Sequence, residues 1–515
     1  MNVLLLRPKL SKLLGTLFAL LTGFFTCPVP GTAQAELLRL AVSTTTPILG
    51  HPFERYAGGH VKSSVFDGLT QITISGQLKP ALALSWQAET NTRWVFKLRP
   101  GVLFHNGKPF SAESVVEIFE YLKLPDAERF YMAQELSSIS SARALDTLTV
   151  EINTTKPDPL LPRRMSILRI IDMSAWLEKG EAEFTLSPVG TGPFVVSSWG
   201  ENATQIKLNA FDSSWRRSQH YTNIQMDVVL DSTRRMQALL SGEVDIAVNL
   251  DPDGVEILES AGYKTITTPN PIVVGIGLRN INADESPLMD KRVRQALNHA
   301  VNKEAIVKYI HLGQMSVASQ GVTPGVFGFN PSIEPYSYDV ALARKLLAES
   351  GYPDGFSIVI GAAVGQVPGD SLLYQQVAQD LRGVGLKVEL RSLSFPEFSR
   401  RIRSGDWDDI DAFTATWSSR NHFDALPALE SHSCKRTPTP FFCDQRIMQD
   451  LEAVQYEIDA SKREKMLMDI MAETVDQAPS IFLVNYSDIV GMRSDIMGYE
   501  LRSDGIPLEK IWLAN

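Results

Sequence analysis

From residue 232 onward the chain alternates at short intervals between helix-periodic runs and short apolar runs. A helical pattern over 232–241 leads through Gly242 to a strand pattern over 244–248. A second helix over 253–260 leads to a strand over 263–267. Residues 290–308 form one helical pattern, with Val293, Leu297, Ala300 and Val301 on its apolar face. Helices over 340–350, 372–384, 396–404 and 461–477 then alternate with strands over 356–361, 387–390, 412–417 and 480–484. Such a chain buries its apolar faces as mixed sheets covered by helices, so the fold class is α/β. The preceding part is richer in strands, over 36–43, 94–98, 147–152, 194–196, 206–209 and 224–229. A short helix turns into a strand over 61–70, and Ser111 caps the start of another helix. There is no internal repeat and no low-complexity segment.

At 515 residues the chain is too long for one compact core; the usual domain size suggests about three domains. Its 44% hydrophobic content excludes a chain that stays unfolded, and a mean hydropathy near zero excludes a multi-spanning membrane protein. The formal charge of −10, without a basic run, argues against nucleic-acid binding, which depends on Lys and Arg neutralising phosphates.

The N-terminus has its own character. Arg7, Lys9 and Lys12 precede an apolar run over 13–25, and Ala33-Gln34-Ala35 offers small residues where a signal peptidase needs them. Residues 1–35 therefore read as a secretory signal cleaved before Glu36. The apolar run is short of the ~20 residues that span a bilayer. A lipid anchor on Cys27 is the alternative, but Phe24-Phe25-Thr26 is a poor lipobox. Cleavage removes three positive charges, so the mature chain is more acidic than the whole. It also leaves only Cys434 and Cys443, which in an exported protein are expected to be oxidised to each other. Pro438 and Pro440 mark the loop between them as a surface excursion. Zinc is the alternative, but no His–Cys cluster accompanies the pair.

A secreted hydrolase is the competing class. Gly369-Asp370-Ser371-Leu372 resembles the nucleophile block of some esterases, but no Asp-x-x-His follows near the C-terminus to activate the serine. Asp370-Ser371 more simply caps the helix that follows. Neither Gly-x-Ser-x-Gly nor His-Glu-x-x-His occurs. Residues 249–254 begin like a calcium loop, but position twelve is Ser260, with Glu259 one residue early. Asp253 as a helix cap is the simpler reading. No enzyme activity, metal or cofactor is expected.

Six segments carry a family resemblance. Residues 94–102 (WVFKLRPGV) with 104–110 (FHNGKPF), 190–194 (GTGPF), 241–246 (SGEVDI), 290–297 (DKRVRQAL) with 300–303 (AVNK), 343–348 (ARKLLA) and 351–356 (GYPDGF) occur in the family's order. The chain thus resembles the solute-binding proteins of ABC importers for peptides and nickel, solute-binding family 5. The resemblance runs through nearly the whole mature chain. It implies a two-lobed periplasmic binding protein fold (type II, cluster C) with an extra subdomain on lobe I. The implied parts are lobe I over 36–77, 188–275 and 486–515, the extra subdomain over 78–187, and lobe II over 276–485. Two hinge strands would cross near 272–281 and 480–489. It further implies a monomer in the periplasm that closes over a small molecule or peptide and delivers it to permease subunits in the inner membrane.

The resemblance also indicates ligand contacts. The family's ligand-contacting segment reads here Thr414 to Asn421, and includes Trp417, Ser418, Ser419, Arg420 and Asn421. Peptide binders carry an Asp within three residues of the Trp, to pair with the peptide ammonium; this chain has Arg420. A guanidinium favours carboxylate or phosphate. The reversal puts an ordinary free-amino-terminus peptide in doubt and favours an acidic opine, a sugar phosphodiester or a peptide gripped differently. A nickel chelate is a further option, without a clustered His site. Arg420 facing solvent or pairing with Asp424 is the alternative. The polar run from Ser43 to Thr46, with Thr44, Thr45 and Thr46, follows the first strand, where lobe I loops line the cleft. Arg129, Tyr131, Arg163 and Arg164 lie in the extra subdomain, within reach of an anionic ligand, but solvated surface is the simpler reading for each; His422 reads as a loop residue rather than a metal ligand.

Overall fold

The computed structural model describes residues 36–43, 49–54, 59–281, 286–365, 367–407, 409–435 and 440–514. The expected signal over 1–35, Cys27, and Thr44, Thr45 and Thr46 lie outside the described residues.

One large mixed sheet organises the chain. Its order is Lys387–Ser392, Ser357–Ala362, Ala412–Ser418, Lys264–Leu278, Ser480–Met492, Ile246–Ala247, Glu36–Val42, Tyr221–Val228, Gln205–Ala210 and Phe194–Trp199. Ser316–Val317 also pairs with Ser480–Met492. The central pair, Lys264–Leu278 and Ser480–Met492, runs antiparallel through both halves of the sheet. Its register breaks between Pro269 and Val273, opposite the step from Ser487 to Asn485. Sequence accounts for the break, because Pro269 and Pro271 have no N–H to give a ladder. The Pro271 carbonyl is instead taken by the Ser419 N–H at 2.8 Å.

The central strands feed several hydrophobic cores, of which two are the largest. Val490 and Met492 pack into one core with Leu38, Leu40, Ile224 and Met226. Ile481, Leu483 and Val484 pack into another with Val274, Ile276, Ile358 and Leu373. The first core continues into a four-stranded antiparallel sheet of Ala83–Thr90, Arg93–Leu98, Thr149–Thr154 and Ile139–Asp146. The helix Ala112–Leu122 covers that sheet with Val115, Ile118 and Phe119.

The motifs of the resemblance hold local structure. His105 of FHNGKPF donates its N–H to Gly190 O (2.9 Å), and its Nε2 lies 3.1 Å from Gly192 O of GTGPF. A Cβ on Gly192 would lie 2.3 Å from Ser64 O, so this turn admits only glycine where it passes the helix Gly59–Val65. Asp245 of SGEVDI pairs with Arg39 (2.9 Å) and Arg493 (3.1 Å), tying three chain segments together.

Several elements differ from expectation. The strands expected over 263–267 and near 272–281 are one 15-residue strand, Lys264–Leu278, and the strand expected over 480–484 extends to Met492. Their fully buried halves lack the alternation that marks a strand end. The single helix expected over 290–308 is interrupted after Lys291–Ala300, where Val301 is extended and the Asn302 side chain accepts from Ala305 N–H (2.9 Å) as a new cap. Gly369, not Asp370 or Ser371, is the N-cap of Asp370–Gly383; the Asp370 carboxylate holds the N–H groups of Gly365 and Val367 in the loop before it. Cys434 and Cys443 form the expected disulfide.

Candidate ligand-binding site

A cavity of about 710 Å³ opens beside the register break. Pro271, Ile272, Ser418, Arg420, Tyr486 and Asp488 line it near the central strands. His60 and Lys62 of Gly59–Val65, Arg169, Asn249 and the segment Arg502, Ser503 and Asp504 form further wall. The wall thus joins residues packed on both cores.

Arg420 and Asp488 meet at the centre. Arg420 Nη2 is 3.4 Å from Asp488 Oδ2, with the arginine side chain 46% exposed. Asp488 also accepts from Asn249 Nδ2 (2.7 Å) and Asn270 Nδ2 (2.5 Å). Burial pushes the Asp488 carboxyl above its ordinary value, and Arg420, Asn270, the Tyr486 hydroxyl and Asn249 work against that rise. Asn249, expected to open a loop, is thereby a hub: its Oδ1 accepts from Ser43 Oγ at 2.8 Å, and Ser43 also lines the cavity.

The other charged groups of the wall are mostly satisfied. Asp504 takes Arg169 (3.3 Å) and Arg502 (3.2 Å). Arg235 donates to the carbonyls of Val248 (2.8 Å), Val229 (2.7 Å), Leu230 (2.9 Å) and Asn249. Lys62 is 5% exposed, and its Nζ donates to the backbone carbonyl of Glu54 at 2.6 Å. Burial pushes its ammonium down to about 7, Arg169 adds to the fall, and Glu54 opposes it. His60 accepts from Ile506 N–H through Nδ1 (3.3 Å), and burial, then Arg420, push it down to about 4, so the ring is neutral.

A polar bridge closes one side. Asn421 donates to Tyr131 Oη (3.0 Å), His422 Nε2 is 2.9 Å from Glu135 Oε1, and Arg163 donates to the His422 carbonyl (2.7 Å). Glu135 also accepts from Tyr131 Oη (2.7 Å) and pairs with Arg164. Burial would raise the Glu135 carboxyl, but His422, Arg164 and Tyr131 outweigh it and hold it at about 2.

Of the residues expected at the ligand, Ser418, Arg420 and Asn421 line the cavity. Ser419 is 3% exposed and does not line it. Trp417 is 5% exposed and packs in the core, stacked on His432 at 5.2 Å and edge-on to Phe482 at 5.1 Å. Its place in a strand explains this: side chains alternate between faces, and Trp417 points away from the face of Ser418. Asp424, the partner considered for Arg420, is buried against Arg463 at 2.5 Å. The surface reading holds for Arg129, an exposed partner of Glu181. It fails for Tyr131, Arg163 and Arg164, which join the bridge. Lys62, Arg169, Asp488, Arg502 and Asp504 escaped the sequence reading, because they converge from distant segments and lie in no motif.

Two cores joined by a shared pair of strands, with a charged cavity at the junction, define a two-lobed binding protein of the type II periplasmic class, with an extra subdomain on one lobe. The comparisons agree. Residues 77–434 match the bacterial extracellular solute-binding proteins, family 5 (middle), and the chain belongs to that family. It is 27% identical over 459 residues to a dipeptide-binding protein of Escherichia coli (strain K12), covering 82% of this chain and 83% of that one. It is 25% identical over 454 residues to the glutathione-binding protein GsiB of Pectobacterium atrosepticum, covering 86% and 87%. The structure of a putative peptide binding protein AppA from Clostridium difficile superposes with a TM-score of 0.82 at 18% identity, over 93% of this chain and 100% of that chain, a likeness of fold.

Proposed function

We propose that the chain is the periplasmic binding component of an ABC importer and that it closes over a peptide-related small molecule with an anionic group. Family membership supports binding and transport rather than catalysis. The names of the relatives support peptides and glutathione as ligand chemistry. The observation that carries the anionic preference is Arg420, on the cavity wall and half exposed beside a single carboxylate. A guanidinium has five donors, and one long contact to Asp488 leaves most of them for a ligand. Ser418 and Asn421 flank it as neutral polar contacts.

The break between Pro269 and Val273 supports a hinge there, with lobe I and its extra subdomain on one side and lobe II on the other. A ligand that touches both lobes favours the closed state in proportion to its preference for it. Closure is then the signal to the inner-membrane permease. Export is proposed from the signal pattern of residues 1–35, with the mature protein acting as a monomer. No helix among the described residues is long and apolar enough to cross a membrane.

The test is a thermal-shift screen of the mature protein against zwitterionic dipeptides, glutathione, acidic opines, sugar phosphates and nickel chelates. A ligand at a hundredfold excess over its Kd stabilises by ~2.7 kcal/mol. Anionic compounds should give the largest shifts. Equal shifts with zwitterionic dipeptides would remove the anionic preference, and turnover of any compound would favour a hydrolase.

A further inference from the structure

Among the described residues that line the cavity, Lys62 is the cation with the least protein to neutralise it. No described carboxylate lies within ion-pair distance, and its one hydrogen bond goes to the Glu54 carbonyl. An ammonium carries three donors, and among the described residues two of them have no partner. Arg169 and Arg502 share Asp504, and Arg235 is wrapped by four carbonyls. Lys62 therefore stands 5% exposed in the cavity wall with unfilled hydrogen-bonding capacity. An uncompensated buried charge is costly unless a counter-charge arrives.

We propose that Lys62 is a second anion-binding group, supplied by the helix Gly59–Val65 while Arg420 is supplied by the loop after Ala412–Ser418, and that the ligand carries two separated anionic groups. This rests on the anionic reading of Arg420 and extends it to a substrate class: small amino-acid derivatives with an excess of carboxylates, such as γ-glutamyl peptides. The groups facing Lys62 are Glu54, Arg169 and the His51 ring, which is itself held neutral by burial and lies 3.3 Å from Glu181. His60, two residues before Lys62 on the same helix, is neutral, and Asp504 is engaged by its two arginines.

The arrangement makes binding proton-coupled. In the free protein burial holds the Lys62 ammonium at about 7. A bound anion favours the charged form and raises that value, so the protein takes up a proton on binding when the pH lies above it. Affinity for a ligand with two anionic groups then falls as pH rises, by about tenfold per pH unit beyond the free value.

The experiment is isothermal titration of the mature protein with S-methylglutathione, and with alanyl-alanine as the control with a single carboxylate, between pH 6 and 8.5 in buffers of different ionisation enthalpy. Wild type should bind S-methylglutathione more tightly than alanyl-alanine and take up about one proton at pH 8. Lys62→Met should weaken S-methylglutathione at least tenfold at pH 7 and abolish the uptake. Lys62→Arg, charged throughout, should bind without the uptake, which separates loss of charge from loss of fold. A pH-independent affinity in wild type, uptake that survives in Lys62→Met, or no binding of S-methylglutathione would overturn the proposal. Binding of alanyl-alanine alone would overturn the class with two anionic groups while leaving peptide binding intact. Loss of binding in Arg420→Ala but not in Lys62→Met would overturn the role of Lys62 and leave that of Arg420.

Discussion

Arg420 and Asp488 form a 3.4 Å ion pair in which one partner is half exposed and the other buried. The pair joins the loop after one lobe's strand to a central strand that both lobes share, and it stands on the cavity wall. Asp488 therefore competes with an anionic ligand for the guanidinium. Asp488→Asn should free Arg420 and tighten anionic ligands several-fold. It should also lower stability by about 1–3 kcal/mol, because its new amide would face the amides of Asn249 and Asn270. Calorimetric titration and chemical denaturation read the two effects separately.

The loop that presents Arg420 is anchored by Asp424 and Arg463, bonded at 2.5 and 2.9 Å with exposures of 0% and 3%. Removing one member leaves the other charge buried and unpaired. Arg463→Met should destabilise the protein by about 3–5 kcal/mol, measured by urea denaturation.

The bridge through Glu135 sets an acid limit. The folded carboxyl sits at about 2, below its ordinary value, so its contribution is complete above the unfolded value and is lost as pH falls toward 2. That contribution is on the order of 3 kcal/mol. Glu135→Gln should flatten the dependence of stability on pH between about 4.5 and 2, as followed by denaturant midpoints. An unchanged slope would place the acid sensitivity elsewhere.

Cys434 and Cys443 close a loop with a sequence separation of 9. A loop of that size stabilises by roughly 2–3 kcal/mol in the chain-entropy account. Reduction, or Cys434→Ser with Cys443→Ser, should lower the melting temperature by a few degrees without changing ligand affinity, since neither cysteine lines the cavity.

The fold was legible because its motifs are local. The turn Gly190-Thr191-Gly192-Pro193 and the segment around His105 announce themselves in sequence, and in the structure they touch. The length of the central strands was not legible, because their buried halves carry no alternation and prolines punctuate one of them. At the site, Arg420 stood out as a charge where the family pattern has the opposite one. Trp417 carried the same signal from its position, yet strand alternation turns it into the core. Asp488 and Lys62 had no local signature: one is an acid in an apolar strand and the other a lysine on a seven-residue helix, and only the fold brings them to one cavity.

The most direct measurement is the Kd of the tightest anionic compound from the ligand screen, by titration calorimetry at pH 7, for wild type and Arg420→Ala. A charge-assisted hydrogen bond contributes about 1.5–3 kcal/mol, so the variant should bind at least about tenfold more weakly while its affinity for a zwitterionic dipeptide changes little. An unchanged Kd for the anionic compound would contradict the assignment of Arg420 to the ligand.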